Sequence, residues 1–174
     1  MIHSVLLIGQ SNMAGRGFKD EVPPIENERI KVLVNGRWQN MFFPVSKDRP
    51  FAGISLAESF ADEYSKSHNV DVGLIPCADG GTYLDQWMPG ELLFDHAVLQ
   101  AKLALRTSEI TAVLWHQGEA DCQPELYPLY EEKCLYIFNS LRKELCLYDI
   151  PVLVGGLGDF LENCTVDNAL KNYK

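Results

Sequence analysis

The chain has 174 residues, 47% apolar and 22% charged, the composition of one ordinary globular domain rather than of a disordered or fibrous chain. Its net charge of −9 and pI of about 4.8 argue against nucleic acid or an anionic membrane as partner, because phosphate recognition relies on clustered Lys and Arg. No apolar run approaches the roughly 18 residues that a membrane helix needs, and the start, Met1 to Gly9, lacks the basic residues of a signal peptide. A cytoplasmic protein is therefore expected. The five cysteines, Cys77, Cys122, Cys134, Cys146 and Cys164, are odd in number and form no C-x-x-C pair, so reduced, mostly structural thiols are expected.

In chain order, Val5–Ile8 reads as a buried strand. Residues 29–34 and 37–42 flank Asn35-Gly36, a pair suited to the positive φ angles of a type I′ turn, and are predicted as a hairpin on the rim of the fold. A helix is predicted over 54–67, with Leu56, Phe60 and Tyr64 on one stripe. A strand follows at 70–76, then a Gly-rich polar loop to Gly90. A second helix is predicted over 91–106, with Leu92, Leu99 and Leu103 toward its buried side. A strand at 110–115, a long helical stretch at 124–147 interrupted near Pro128, and a strand at 150–155 complete the pattern. The core strands are nearly continuous apolar runs rather than alternating ones, as in a parallel sheet covered on both faces. Alternating strands and helices imply a doubly wound α/β sandwich, in which ligands bind beyond the carboxyl ends of the strands.

Three polar segments follow strands directly. Gly9-Gln10-Ser11-Asn12-Met13 follows the first. A sharp strand-to-helix turn there presents the Ser11 hydroxyl beside free backbone N–H groups, a setting for a nucleophile whose attack creates an oxyanion. A helix N-cap and a phosphate loop are the competing readings of Ser11, although the glycine spacing matches neither common phosphate-loop pattern. Asp79-Gly80-Gly81-Thr82 follows the second core strand, where paired glycines either permit close approach of a ligand or simply turn the chain. Trp115-His116-Gln117-Gly118-Glu119-Ala120-Asp121 follows the third. In it Gln117 can donate its amide to an oxyanion, while Glu119 and Asp121 can orient other groups or cap the next helix. Trp87 and Trp115 are read either as sugar-stacking surfaces or as core.

Together, G-Q-S-N-M, G-G-T and W-x-Q-G-E-x-D resemble the blocks of the SGNH hydrolase superfamily. Their form is that of its sialate O-acetylesterase and carbohydrate esterase family 6 branch, which is related to acetylxylan esterases. The resemblance spans about residues 3–160. It implies a flavodoxin-like three-layer α/β/α sandwich and a serine esterase that removes O-acetyl groups from carbohydrates. Ser11 corresponds to the nucleophile, and Ser11 N–H, Gly81 N–H and Gln117 to the oxyanion hole. Gln10, Asn12, His116, Glu119 and Asp121 correspond to residues that shape the site. No metal or organic cofactor is implied, and the expected partner is a small acetylated sugar or glycan.

The sequence departs from the family in one respect. The catalytic base of the family is a histidine in a C-terminal D-x-x-H segment, and no D-x-x-H occurs among these 174 residues. Residues 1–174 are accordingly expected to be a single esterase domain lacking its C-terminal strand and helix. A base supplied by another chain or by His116 is a second reading, and a non-catalytic domain that still binds an ester or sugar is a third. A nucleotide-binding flavodoxin-like domain is a further alternative, but it leaves the Trp115–Asp121 cluster without a role.

Overall fold

The structure, a computed structural model, describes residues 1–158. Six strands, β1 (Ile2–Gly9), β2 (Ile30–Val34), β3 (Arg37–Asn40), β4 (Val72–Pro76), β5 (Ser108–His116) and β6 (Val152–Val154), form one sheet in the order β3-β2-β4-β1-β5-β6. Every pairing is parallel except β2 with β3. The helices are α1 (Ser11–Ala14), α2 (Leu56–His68), α3 (Leu92–Ala104) and α4 (Tyr130–Leu145).

Strand β1 explains the two cores. Val5 and Leu7 enter a cluster with Met13, Ala57 and Ala61 on the α1–α2 side. Leu6 and Ile8 enter a second cluster with Ala97, Ala101, Ile137 and Phe138 on the α3–α4 side. Alternate residues of a strand point to opposite faces, so an unbroken apolar run feeds both layers at once. The fold is the predicted doubly wound α/β sandwich. Without the hairpin, the order β4-β1-β5-β6 follows the flavodoxin-like pattern, and the winding reverses at β1. The carboxyl ends of β1, β4 and β5 therefore surround the switch point where such folds receive ligands.

Several elements differ from expectation. Asn35 and Gly36 do take positive φ, 50° and 71°, but the hairpin is no rim excursion: β2 pairs with β4 and extends the main sheet. Helix α3 turns a different face inward. Leu92 and Leu99 are exposed, while Phe94, Ala97, Val98, Ala101 and Ala104 are buried. The small residues let the helix lie close to the sheet, and that close approach outweighs the larger side chains on the other stripe. The long helical stretch splits into a 3₁₀ turn, Tyr127–Leu129, and α4. Helix α2 is fixed at its start by Ser55, whose hydroxyl accepts from the Ala57 N–H at 3.0 Å while Glu58 accepts from the Ser55 N–H at 3.0 Å.

Among the described residues the cysteines depart from expectation at one position, and Cys164 lies outside those residues. Cys77, Cys134 and Cys146 are free thiols, and burial pushes the first two well above the ordinary thiol pKa. Cys122, however, is disulfide-bonded. An odd cysteine count carries no information about which side chains meet in space, so composition missed it. Among the described residues, no helix is long and apolar enough to cross a membrane.

Candidate active site

The site begins where β1 ends. Gly9 has φ +133°, and a Cβ on it would lie 2.2 Å from the His116 carbonyl oxygen. The absence of a side chain lets β1 stay paired with β5 to its last residue, Gly9 opposite His116. The chain then turns at Gln10, whose N–H donates to the same carbonyl at 2.9 Å. Gln10, not Ser11, is the N-cap of α1, and it makes no side-chain cap bond. The cap reading of Ser11 therefore fails. Ser11 is half-buried, and its hydroxyl has no partner among the described residues. Helix α1 has only four residues, so its dipole contributes little. What the turn offers instead is the Ser11 N–H, which has no acceptor among the described residues.

Hydrogen bonds join the other two loops to this turn. The Asp79 N–H donates to the Gly9 carbonyl at 3.0 Å. Gln10 Oε1 accepts from the Gly118 and Ala120 N–H groups, both at 3.4 Å. Asn12 donates to Glu119 through a short hydrogen bond. Gln117 Nε2 donates to the Thr82 carbonyl at 3.2 Å and to Asp121 Oδ2 at 2.5 Å. Asp121 Oδ2 also accepts from the Leu84 N–H at 3.0 Å. Below them, Tyr130 donates to the Gln117 carbonyl at 2.6 Å, and Trp87 Nε1 donates to the Thr82 hydroxyl at 3.1 Å. Three segments distant in sequence thus form one stapled surface. At its edge Gly81 is exposed with φ +78° and nothing within 4 Å of its Cβ position. Its N–H likewise has no acceptor among the described residues.

Buried polar atoms without a partner are rare in native proteins and mark places of polar chemistry. Four such side-chain atoms belong to this loop: Nδ1 and Nε2 of His116, Oε1 of Gln117 and Oε2 of Glu119. The site thus presents an unpartnered hydroxyl, two unpaired backbone N–H groups and a cluster of unsatisfied buried groups at the sheet's switch point.

The family model for carbohydrate esterase, sialic acid-specific acetylesterase, matches residues 2–173. The chain belongs to this family. A probable carbohydrate esterase of Arabidopsis thaliana is 30% identical to it, over 85% of this chain and 66% of the relative. The chain thus spans just under two thirds of that relative's length. An X-ray structure of the Arabidopsis protein superposes with a TM-score of 0.89 at 27% identity, covering 99% of this chain and 81% of the other. The crystal structure of NanS has a TM-score of 0.76 at 18% identity, over 97% of this chain and 73% of that one. A carbohydrate acetylesterase from Xanthomonas citri has a TM-score of 0.65 at 19% identity, over 87% and 41% respectively. The last two show a shared fold.

Within this member of the sialic acid-specific acetylesterase family, Gln10, Ser11, Asn12, Gln117, Glu119 and Asp121 lie in the hydrogen-bonded surface just described, with Gly81 at its edge. His116 ends β5, and its ring packs toward β6, where a Cβ on Gly155 would lie 2.9 Å from it. Both amide hydrogens of Gln117 are engaged, so it can serve an oxyanion directly only by releasing Thr82 or Asp121. Trp87 and Trp115 are 1% and 0% exposed; they meet edge to face in the core and are not stacking surfaces. Two residues of the site escape sequence reasoning. Thr82 lies within G-G-T, but its residue type alone gives it no role. Asp48, which accepts from the Gly80 N–H at 2.9 Å, lies in a segment without any motif.

Burial raises the Asp121 pKa from the ordinary aspartate value, against hydrogen bonds from Gln117 and the Leu84 N–H that lower it. A raised folded-state pKa favours the protonated form on folding. Its stabilisation is complete below the unfolded value of about 3.9 and is lost as pH rises through the folded value. Asp121→Asn removes that titration. Thermal melts of the variant should therefore decline less from about pH 4 to neutrality than those of the parent, and parallel declines would refute the assignment.

Proposed function

We propose that this chain carries the site of a serine esterase that removes O-acetyl groups from carbohydrates. The observation that supports it most is the unpartnered Ser11 hydroxyl on the same stapled surface as the unpaired N–H groups of Ser11 and Gly81. The family description, which names sialic acid-specific acetylesterases, supports an acetylated sugar as substrate.

In this reading Ser11 Oγ attacks the ester carbonyl carbon, and a histidine takes the hydroxyl proton. The tetrahedral oxyanion is received by the Ser11 and Gly81 N–H groups, with Gln117 as a third donor once its amide lets go of Thr82. The sugar alkoxide leaves with the proton, and water then releases acetate from the serine. Gln10, Asn12, Glu119 and Asp121 hold the loops in register. None of the four histidines hydrogen-bonds Ser11 among the described residues. His3 and His68 contact Tyr64, His96 lines a cavity beside β2, and His116 packs on Gly155. That observation favours a second reading, a domain that binds acetylated sugars without turning them over.

Acetate release from O-acetylated sialic acid and xylo-oligosaccharides, set beside calorimetric binding of the same sugars, separates the two readings. Binding without acetate release or labelling of Ser11 by a fluorophosphonate would favour the binding domain. Gln117→Ala should lower turnover about 10²–10³-fold, the usual effect of losing one oxyanion donor. Because Gln117 is 1% exposed and its loss takes one of two donors from Asp121 and the side-chain donor from the Thr82 carbonyl, the variant should also unfold about 1–3 kcal/mol more easily in urea. Turnover equal to the parent's would remove Gln117 from the mechanism.

A further inference from the structure

The peptide that carries the Gly81 N–H is held from its other end. Gly80 sits between two clamps. Its N–H donates to Asp48 Oδ2, a carboxylate 2% exposed that also pairs with Arg16 Nη2 at 2.7 Å. Its carbonyl accepts from Arg49 Nη2 at 2.7 Å. The same guanidinium places Nη1 2.8 Å from Asp79 Oδ1 and donates to the Asp48 carbonyl at 2.7 Å. Arg49 thus bridges the segment before α2 to both residues that precede Gly81.

A peptide bond is planar and trans, so the Gly80 carbonyl and the Gly81 N–H belong to one rigid unit and point in opposite directions. Fixing the carbonyl aims the N–H. The unit has little else to fix it. Gly80 and Gly81 are both glycine, Gly81 has no neighbour within 4 Å of its Cβ position, and a flip of the peptide between two glycines meets little steric resistance. A cationic donor on the carbonyl also strengthens the dipole of the N–H opposite it.

We propose that Arg49 is a positioning residue that locks and polarises the Gly80–Gly81 peptide so that the Gly81 N–H meets the oxyanion formed at Ser11. This inference rests on the esterase reading for the chemistry it serves, while the contact itself is independent of it. Nothing in the sequence motifs points to Arg49. It touches no reacting atom and acts only through the peptide it holds.

The test uses the 174-residue chain labelled with ¹⁵N. In Arg49→Ala the Gly81 amide resonance should shift upfield in nitrogen and broaden as the peptide begins to flip. The Gly80 resonance, still held by Asp48, should stay in place. Arg49→Lys keeps a cation but not the two-pronged grip, and should restore the Gly81 position in part. Labelling of Ser11 by a fluorophosphonate should slow about tenfold in Arg49→Ala, a fraction of what losing an oxyanion donor outright costs. Arg49 is 41% exposed, so the variants are expected to melt near the parent, and the melts verify it. An unmoved Gly81 resonance overturns the proposal, as does labelling within about twofold of the parent. If Ser11 of the parent does not label even with imidazole supplied as an external base, the esterase reading falls, and the Arg49 contact is then judged on the Gly81 resonance alone.

Discussion

Ser11→Ala should abolish fluorophosphonate labelling of the protein and reduce its ester hydrolysis to the level of the Gln10–Ser11 turn and the Gly81 loop acting alone. In serine hydrolases with a complete set of catalytic groups, removing the nucleophile costs about 10⁶ in turnover, and removing the histidine base costs about as much. The 174 residues contain no D-x-x-H, and no described histidine reaches Ser11. The parent is therefore expected to hydrolyse p-nitrophenyl acetate slowly. Imidazole added to the buffer, acting as an external base, should accelerate the parent beyond imidazole's own reaction with the ester and give Ser11→Ala no such gain. Two results would change the picture. Persistent labelling of Ser11→Ala would place the nucleophile elsewhere. Brisk hydrolysis without imidazole, lost in Ser11→Ala, would mean that the chain as written holds its own base.

Gly9→Ala should be among the most destabilising single changes in the sheet. The new Cβ would lie 2.2 Å from the His116 carbonyl oxygen and 2.7 Å from its carbon, on a residue whose φ is +133°. Those are backbone atoms of a buried central strand, which cannot swing aside as a side chain can. A loss of about 3 kcal/mol or more is expected from combined strain and overpacking. The last β1–β5 contacts open first, and with them the turn that carries Ser11. Gly81→Ala is the matched control. Its φ is +78° but its Cβ position is empty, so only the backbone conformation is penalised, by about 1 kcal/mol. Urea unfolding of the two variants measures the difference; equal midpoints would show that the His116 carbonyl yields more easily than the packing implies.

The layout of the core is legible because the central parts of β1, β4 and β5 are nearly continuous apolar runs, as expected of a sheet covered on both faces. The inward side of α3 is not. Leucine is the larger hydrophobe, yet the helix approaches through Ala97, Ala101 and Ala104. That choice depends on how closely two layers can approach, which no single segment encodes. Likewise Asn35-Gly36 announces a hairpin, but not that β2 pairs with a strand whose first residue lies 38 positions beyond its last. In the candidate site, residues within the three motifs can be singled out by type and by position after a strand. Asp48 and Arg49 cannot: their contacts to Gly80 exist only because the fold brings a motif-free loop over the glycine turn. The disulfide at Cys122 is hidden for the same reason.

The stapled surface has a consequence for how the protein can be altered. Its floor consists of groups that also secure the sheet: Gln10, Gln117 and Asp121 are each less than 5% exposed, Gln117 and Asp121 bond to each other, and the remaining partners are backbone atoms of neighbouring loops. Changes there disturb architecture and reactivity together. The large aromatic side chains around it are another matter. Phe18, Phe51 and Tyr83 are 71%, 70% and 43% exposed; the side chains of Phe18 and Tyr83 join none of the bonds that tie the motifs together, whereas the Phe51 ring lies under the guanidinium of Arg16, 5.3 Å from its centroid. Floor and rim are therefore separable in engineering terms. A library varied at Phe18 and Tyr83 can alter the rim on an unchanged chassis, whereas one aimed at the floor would be dominated by misfolded members.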